Sequence, residues 1–246
     1  MRANPYTAEQ YLREYLLFHY GQRRDLCPFR FVPTPVLRFH TRLREECLRP
    51  VDSAGATRGL DIGCGVGRFT FELGCVVDQV LGIDSSAPFI AAARQMARRQ
   101  SLTIPVKQTG REAVVRRLML PRALRQSRVQ FQVGDALNLR ALDEKPFHVV
   151  AAINLLCRLP RPRQFLAQLG KWVLPGGQLL IASPYTWMEE WTAPNQWVTA
   201  KDMQALLCPQ FRLVRRCDLP FLIREHRRKY QLGVSEVMVW ERKKVR

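Results

Sequence analysis

The chain has 246 residues, 47% of them hydrophobic, which suits one large α/β domain or a core with a smaller cap and excludes a disordered chain. The longest apolar runs, such as residues 149–153, fall far short of the length that spans a bilayer. Lys and Arg total 39 against 21 Asp and Glu, a net +18, but the excess lies in short scattered clusters without an RNP-like motif or zinc knuckle, favouring a solvated arginine-rich surface over a nucleic-acid track.

Glu9, Arg13 and Glu14 interrupt the opening stretch, so no apolar leader is read there and a cytoplasmic location is expected. A first helix is expected over 7–20, with Thr7 as N-cap and Gly21 closing it. Its apolar set, Tyr11, Leu12, Tyr15, Leu16, Phe18 and Tyr20, is wide for one face, so the helix should pack on something. Prolines at 28, 33 and 35 mark an extended linker before a second helix over 36–48. Residues 1–50 thus read as a helical cap contributing to an acceptor pocket, and 51–246 as the core.

From Arg58 the pattern alternates strand and helix. Strands are expected near 58–62, 79–83, 129–133, 147–153, 178–182, 211–216 and 234–241, with helices near 67–75, 87–100, 163–173 and 200–208. This is the signature of a doubly wound α/β fold: seven strands, mostly parallel, with helices on both faces. The long 101–128 connection holds a small hairpin turning at Gly110. The seven cysteines show no C-x-x-C pair and no zinc-finger interval, so reduced thiols and no structural metal are expected.

Leu60-Asp61-Ile62-Gly63-Cys64-Gly65-Val66-Gly67 falls where the first strand gives way to a helix. Glycines there let the backbone turn sharply and approach a ligand. A dinucleotide site would carry G-x-G-x-x-G and hold pyrophosphate; here the spacing is G-x-G-x-G and Asp61 precedes it. A carboxylate repels pyrophosphate but attracts the ammonium of a methionine moiety, which favours S-adenosylmethionine over NAD. Asp84, about twenty residues on, ends the second strand where such folds bind ribose hydroxyls, and Asp135 with Ala136 ends the third, where an adenine would be met. Cys64 and Ser85 flank these positions and, with Asn154 at the end of the fourth strand, join the expected cofactor contacts. One acidic strand end is an ordinary turn residue; three at successive strand ends are not.

For the acceptor, Asn154 ends the fourth strand in the expected crevice, where its amide can orient an imidazole; a plain capping asparagine is the alternative. Tyr185, Trp187 and Trp191 after the fifth strand form either an aromatic lid or ordinary loop packing. Arg224 is a candidate carboxylate clamp, and His226 either a base or an exposed side chain. A neutral imidazole nitrogen needs alignment rather than a strong base, so positioning residues are expected instead of a triad.

Three runs together carry a more specific likeness: YLREYLLFHYG at 11–21, SPYTWMEEWT at 183–192, and PFLIREHRRKYQ at 220–231 with GVSE at 233–236. They resemble the ovothiol-pathway mercaptohistidine N-methyltransferases, which are similar to the C-terminal domain of the ovothiol sulfoxide synthase fusion and have the Rossmann-like class I methyltransferase fold. The resemblance implies S-adenosylmethionine as methyl donor, a mercaptohistidine-type imidazole as acceptor, and a sulfoxide synthase acting in trans. It implies acceptor contacts from Tyr15, His19, Tyr20, Asn154, Arg158, Tyr185 and Arg224, with Asn154, Tyr185 and His226 nearest the chemistry. Where that family tends to read Asn-Leu-Ile-Asp-Arg, this chain has Cys157 in the acidic position. The similar Asn-Leu-Leu-x-Arg run of protein-histidine methyltransferases keeps a protein acceptor as an alternative, and a non-catalytic cofactor- or RNA-binding protein is the third reading.

Overall fold

The computed structural model describes residues 9–51, 53–142 and 144–244, so the expected N-cap Thr7 lies outside the described residues. A seven-stranded sheet forms the middle layer, in the order β5-β2-β1-β6-β7-β9-β8. Its strands are β1 (Arg58–Ile62), β2 (Gln79–Asp84), β5 (Arg128–Val133), β6 (Phe147–Ile153), β7 (Val173–Ser183), β8 (Phe211–His226) and β9 (Lys229–Arg242). The first five are parallel; β9 runs antiparallel to β7, and β8 antiparallel to β9. Central strands buried on both faces need near-continuous apolar sequence, and Val149, Val150, Ala151 and Ala152 of β6 are completely buried.

The helices flanking the sheet are α4 (Arg68–Leu73), α5 (Ala87–Arg99), α6 (Pro162–Gln168) and α7 (Ala200–Leu207). Local chemistry fixes their ends. Ser86 accepts from the Phe89 amide at the start of α5, and Thr199 and Asp202 form a reciprocal capping box at α7. The helix expected over 163–173 is shorter, because Gly170 interrupts it: the chain passes into a 3-10 turn, Leu169–Lys171, with Gly170 pressed against Gln210. Strand order reverses between β1 and β6, and the crevice beyond their carboxyl ends is where this architecture holds ligands.

Ahead of the sheet come α1 (Glu9–Tyr20), a single turn α2 (Arg23–Leu26) and α3 (Phe39–Cys47). The wide apolar face of α1 packs as expected, with Leu16, Leu17 and Tyr20 in a core cluster that includes Val66 and Phe89. Helix α3 packs its Phe39 and Leu43 among residues of α4, β6 and β8, and Cys47 Sγ sits 3.8 Å from Cys217 Sγ. The 101–128 segment forms a two-stranded antiparallel arm, β3 (Ser101–Lys107) and β4 (Ala113–Met119), turning through Gly110 at φ +53°.

The last two strands are longer than the 211–216 and 234–241 expected from the sequence, and most of the stretch between those bounds is strand. Strand β8 runs unbroken from Phe211 to His226, and Pro220 pairs with Val234 inside it. A proline signals a strand break only where both edges are paired; β8 is the outermost strand, where a missing N–H costs no ladder bond.

Candidate active site

A cavity of about 420 Å³ opens at the switch point. One half is built from strand ends. The glycine loop after β1 holds Gly63, Gly65 and Gly67 at φ +72°, +56° and +90°, a conformation side-chain-bearing residues rarely adopt. Amides of Gly63 and Cys64 donate to the Ile83 carbonyl at 2.8 and 2.9 Å, tying the loop to β2. A Cβ on Gly65 would stand 3.3 Å from His19 Cε1, so the space there is kept open only by glycine.

Asp61 is 1% exposed, lines the cavity and accepts from Thr70 Oγ1 at 2.7 Å. Burial, reinforced by neighbouring Asp84 and partly opposed by the Thr70 hydroxyl, pushes its carboxyl up to about 7. Asp84 accepts from the Gly65 amide at 2.9 Å and the Ser86 amide at 2.8 Å, while burial raises its carboxyl above the ordinary range. Asp135 accepts from the Leu137 amide at 2.8 Å. Cys64, Ser85 and Ala136 line the same wall, so every cofactor position expected from the sequence faces one cavity. A buried carboxyl, Asp61, and a half-buried one, Asp84, beside a space that a Cβ would fill suit a ligand with a cationic amine and vicinal hydroxyls, the two ends of S-adenosylmethionine.

The other half is built from side chains brought in from afar. Tyr15 of α1, Arg158 and Asn154 line it as the sequence suggests, while His19 of α1 stands at the border, over the glycine loop. Asn154 holds φ +53°, and its Oδ1 accepts from Ser235 Oγ at 2.7 Å. Since a hydroxyl both donates and accepts, rotating that amide presents either its carbonyl or its NH2 to the cavity. Arg158 donates to the Thr186 carbonyl at 2.9 Å and is the one guanidinium on the wall among the described residues. Cys157, buried beside it, is raised by burial and partly relieved by Arg158. Of the three lid candidates, Trp191 lines the cavity, whereas Trp187 stacks on Trp197 at 6.3 Å between centroids.

Four expected acceptor residues lie elsewhere. Tyr185 turns at φ +51° to the opposite side of its loop, where its hydroxyl meets Glu236 Oε2 at 2.6 Å; it lines a separate surface groove with Thr199 and Asp218. Its phenol is raised by burial and by that carboxylate, which makes it a structural strut rather than an acid or base. Arg224 is 3% exposed and spends its guanidinium on the Asp25 and Lys107 carbonyls, pinning α2 and β3 to β8. His226 sits at the β8–β9 turn, accepting from the Arg228 amide at 3.3 Å. Tyr20 lies beneath the site and donates to the Val66 carbonyl at 2.7 Å, fixing α1 to the glycine loop.

Sequence reasoning passed over His40, Phe39, Phe18, Phe221, Tyr11 and Glu14, all on the cavity wall. Phe18 is the hub: its ring lies 4.7 Å from His40 and 6.0 Å from both Phe39 and Phe221. Only the excess width of the α1 apolar face hinted at them. His19 and His40 are both held down by burial, His19 to about 3, helped by Arg68.

This order of strands, with a glycine loop and acid-tipped strands at the switch point, defines the class I S-adenosylmethionine-dependent methyltransferase architecture. A family model described as a methyltransferase domain matches residues 60–181, and the chain accordingly carries a class I S-adenosylmethionine-dependent methyltransferase domain. Among curated proteins it is 24% identical over 141 residues to a ubiquinone biosynthesis O-methyltransferase of Methylococcus capsulatus, covering 57% of this chain and 49% of that one. It is 29% identical over 185 residues to the O-methyltransferase cnsE of Penicillium expansum, covering 75% and 56%. The chain thus spans about half the length of the curated relatives it matches. Among solved structures, N-methyltransferase NodS of Bradyrhizobium japonicum in complex with S-adenosylhomocysteine aligns at TM-score 0.56 and 19% identity, covering 96% and 98%. The [4+2]-cyclase SpnF aligns at TM-score 0.59 and 17% identity, covering 98% and 95%; at such identities the likeness is one of fold. No helix among the described residues is long and apolar enough to cross a membrane.

Proposed function

We propose that the protein transfers the methyl group of S-adenosylmethionine to a ring nitrogen of an imidazole-bearing small molecule of the mercaptohistidine type. The observation that carries this reading is an aromatic acceptor half without a ready histidine base: His19 and His40 are both held well below their ordinary range. A hydroxyl acceptor must lose its proton to become nucleophilic, whereas a neutral imidazole already presents a lone pair.

The bound cofactor supplies a methyl group on a sulfonium, open to in-line displacement. The carbon–nitrogen bond forms as the carbon–sulfur bond breaks, and the sulfur keeps the electron pair. Asn154 holds the ring by its second nitrogen, so that the attacking lone pair is aligned. Phe18, Phe39, Phe221 and Trp191 stack around the ring and exclude water. Arg158 faces the carboxylate of an amino-acid acceptor, a role that Arg224, spent on two backbone carbonyls, is unable to fill. The product ring carries a positive charge, and its remaining N–H proton passes to Glu14, a cavity carboxylate raised by burial. Residues 1–50 act as the cap that completes this half, and a separate sulfur-installing enzyme supplies the acceptor.

An oxygen acceptor is the second reading, favoured by the O-methyltransferase names of the curated relatives. It would use Glu14 as base. Mass spectrometry after incubation with S-adenosylmethionine and, separately, mercaptohistidine, a histidine peptide and a catechol separates the cases. The proposal expects methylation of the free thiol-histidine. Product from the peptide alone, or from the catechol alone, overturns it.

A further inference from the structure

We propose that the Nε2–H of His19 is the donor that holds the terminal carboxylate of the cofactor's methionyl end against the glycine loop. The inference rests on the cofactor reading above and deepens it. Helix α1 lays His19 over the loop: ring atoms Cε1 and Nε2 stand 3.3 and 3.6 Å from the point a Gly65 Cβ would occupy. The ring lines the cavity and is flanked by His40, 4.3 Å away between centroids, and by Tyr15 at 6.0 Å, which restrict its rotation.

Which nitrogen carries the proton follows from the partner of the other. Nδ1 accepts from the backbone N–H of Arg68 at 3.2 Å, so a neutral ring must carry its hydrogen on Nε2. A second proton is disfavoured by burial first and then by the Arg68 guanidinium, itself bonded to the His19 carbonyl at 3.1 Å. Arg68 cannot serve as the carboxylate donor in its place, because its guanidinium is engaged by Glu72, Thr41 and the His19 carbonyl.

Among the described residues nothing accepts from His19 Nε2–H. His19 lines the cavity, so the acceptor for this N–H is water or a bound ligand. The ligand's charges leave one end to be placed. Asp61 suits the ammonium and Asp84 the ribose, and the remaining carboxylate would be repelled by both acids unless a donor meets it on the far side of the loop. His19 is on that side, across Gly65 from Asp84. A fixed neutral donor gives a charge-assisted hydrogen bond without drawing a counter-charge into the cavity.

Calorimetry with three ligands tests this: S-adenosylhomocysteine, its decarboxylated counterpart, and 5′-methylthioadenosine, which lacks the whole amino-acid end. The wild-type protein should prefer S-adenosylhomocysteine to the decarboxylated form. His19→Phe should weaken S-adenosylhomocysteine by roughly tenfold or more, as expected for a lost hydrogen bond to a charged group, while leaving 5′-methylthioadenosine within about twofold. His19→Gln, which keeps a donor, should recover part of the loss, and circular dichroism checks that both variants are folded. Equal weakening of all three ligands by His19→Phe, or none for S-adenosylhomocysteine, overturns the assignment. Failure of the wild-type protein to bind any of the three overturns the cofactor reading itself, and the assignment with it.

Discussion

The two halves of the cavity are made differently. The cofactor half consists of backbone amides, three glycines and short acids at the ends of adjacent parallel strands, so hydrogen-bond register fixes each group. The acceptor half is a mosaic of side chains from α1, α3, the β6 and β7 ends and β8, whose positions depend on packing between distant parts of the chain. The first tolerates almost no change in shape, and the second is where specificity is free to vary.

That contrast is broken most sharply at Gly65. Gly65→Val places a branched side chain at φ +56° and into His19. Cofactor binding should fall by at least about a hundredfold, on the order of 3 kcal/mol, read by calorimetry on a protein that still melts cooperatively.

Asp61 gives the next effect. Its carboxyl is pushed up to about 7, above the unfolded value of 3.8, so it holds a proton in the unliganded fold at acid pH. This group's contribution to stability is therefore full below the unfolded value and is lost as pH rises through about 7. A cationic amine needs the ionised form, so cofactor affinity should drop by up to about tenfold per pH unit below that point and level off above it. Asp61→Asn should bind weakly at every pH tested; a wild-type affinity independent of pH between 5 and 8 contradicts the assignment.

In the acceptor half, Asn154→Gly accepts the positive φ while deleting the amide. Turnover should fall by roughly tenfold to a hundredfold through lost alignment, with cofactor affinity within about twofold. Steady-state kinetics and calorimetry on one preparation separate the two. The smallest effects belong to residues that the sequence placed at the site and the fold does not. Tyr185→Phe should leave turnover within about twofold and cost about 1 kcal/mol of stability through the lost Glu236 bond. His226→Ala should do less still. A large loss of turnover in either variant would mean that the 183–192 loop or the β8–β9 turn reaches the acceptor during catalysis.

Legibility followed the same division. Strands β1, β2, β5 and β6 stood where the alternating pattern put them, as did Asp61, Asp84 and Asp135 at the ends of the first three, because the glycine loop and those acids are local features. Arg224 and Tyr185 misled because their chemistry suits a ligand equally well, and only the fold shows Arg224 spent on two carbonyls and Tyr185 on Glu236. Phe18, Phe39, His40 and Phe221 went unread for the opposite reason. Each looks like core, and their meeting depends on α1 and α3 folding back onto an edge strand whose Pro220 disguised its length.

The account stands on the row of acids and glycines at the strand ends. Equilibrium dialysis of labelled S-adenosylhomocysteine against the unmodified protein tests it directly. The expected result is saturable binding at one molecule per chain, lost in Gly65→Val; no saturable binding, or binding that survives that substitution unchanged, would contradict it.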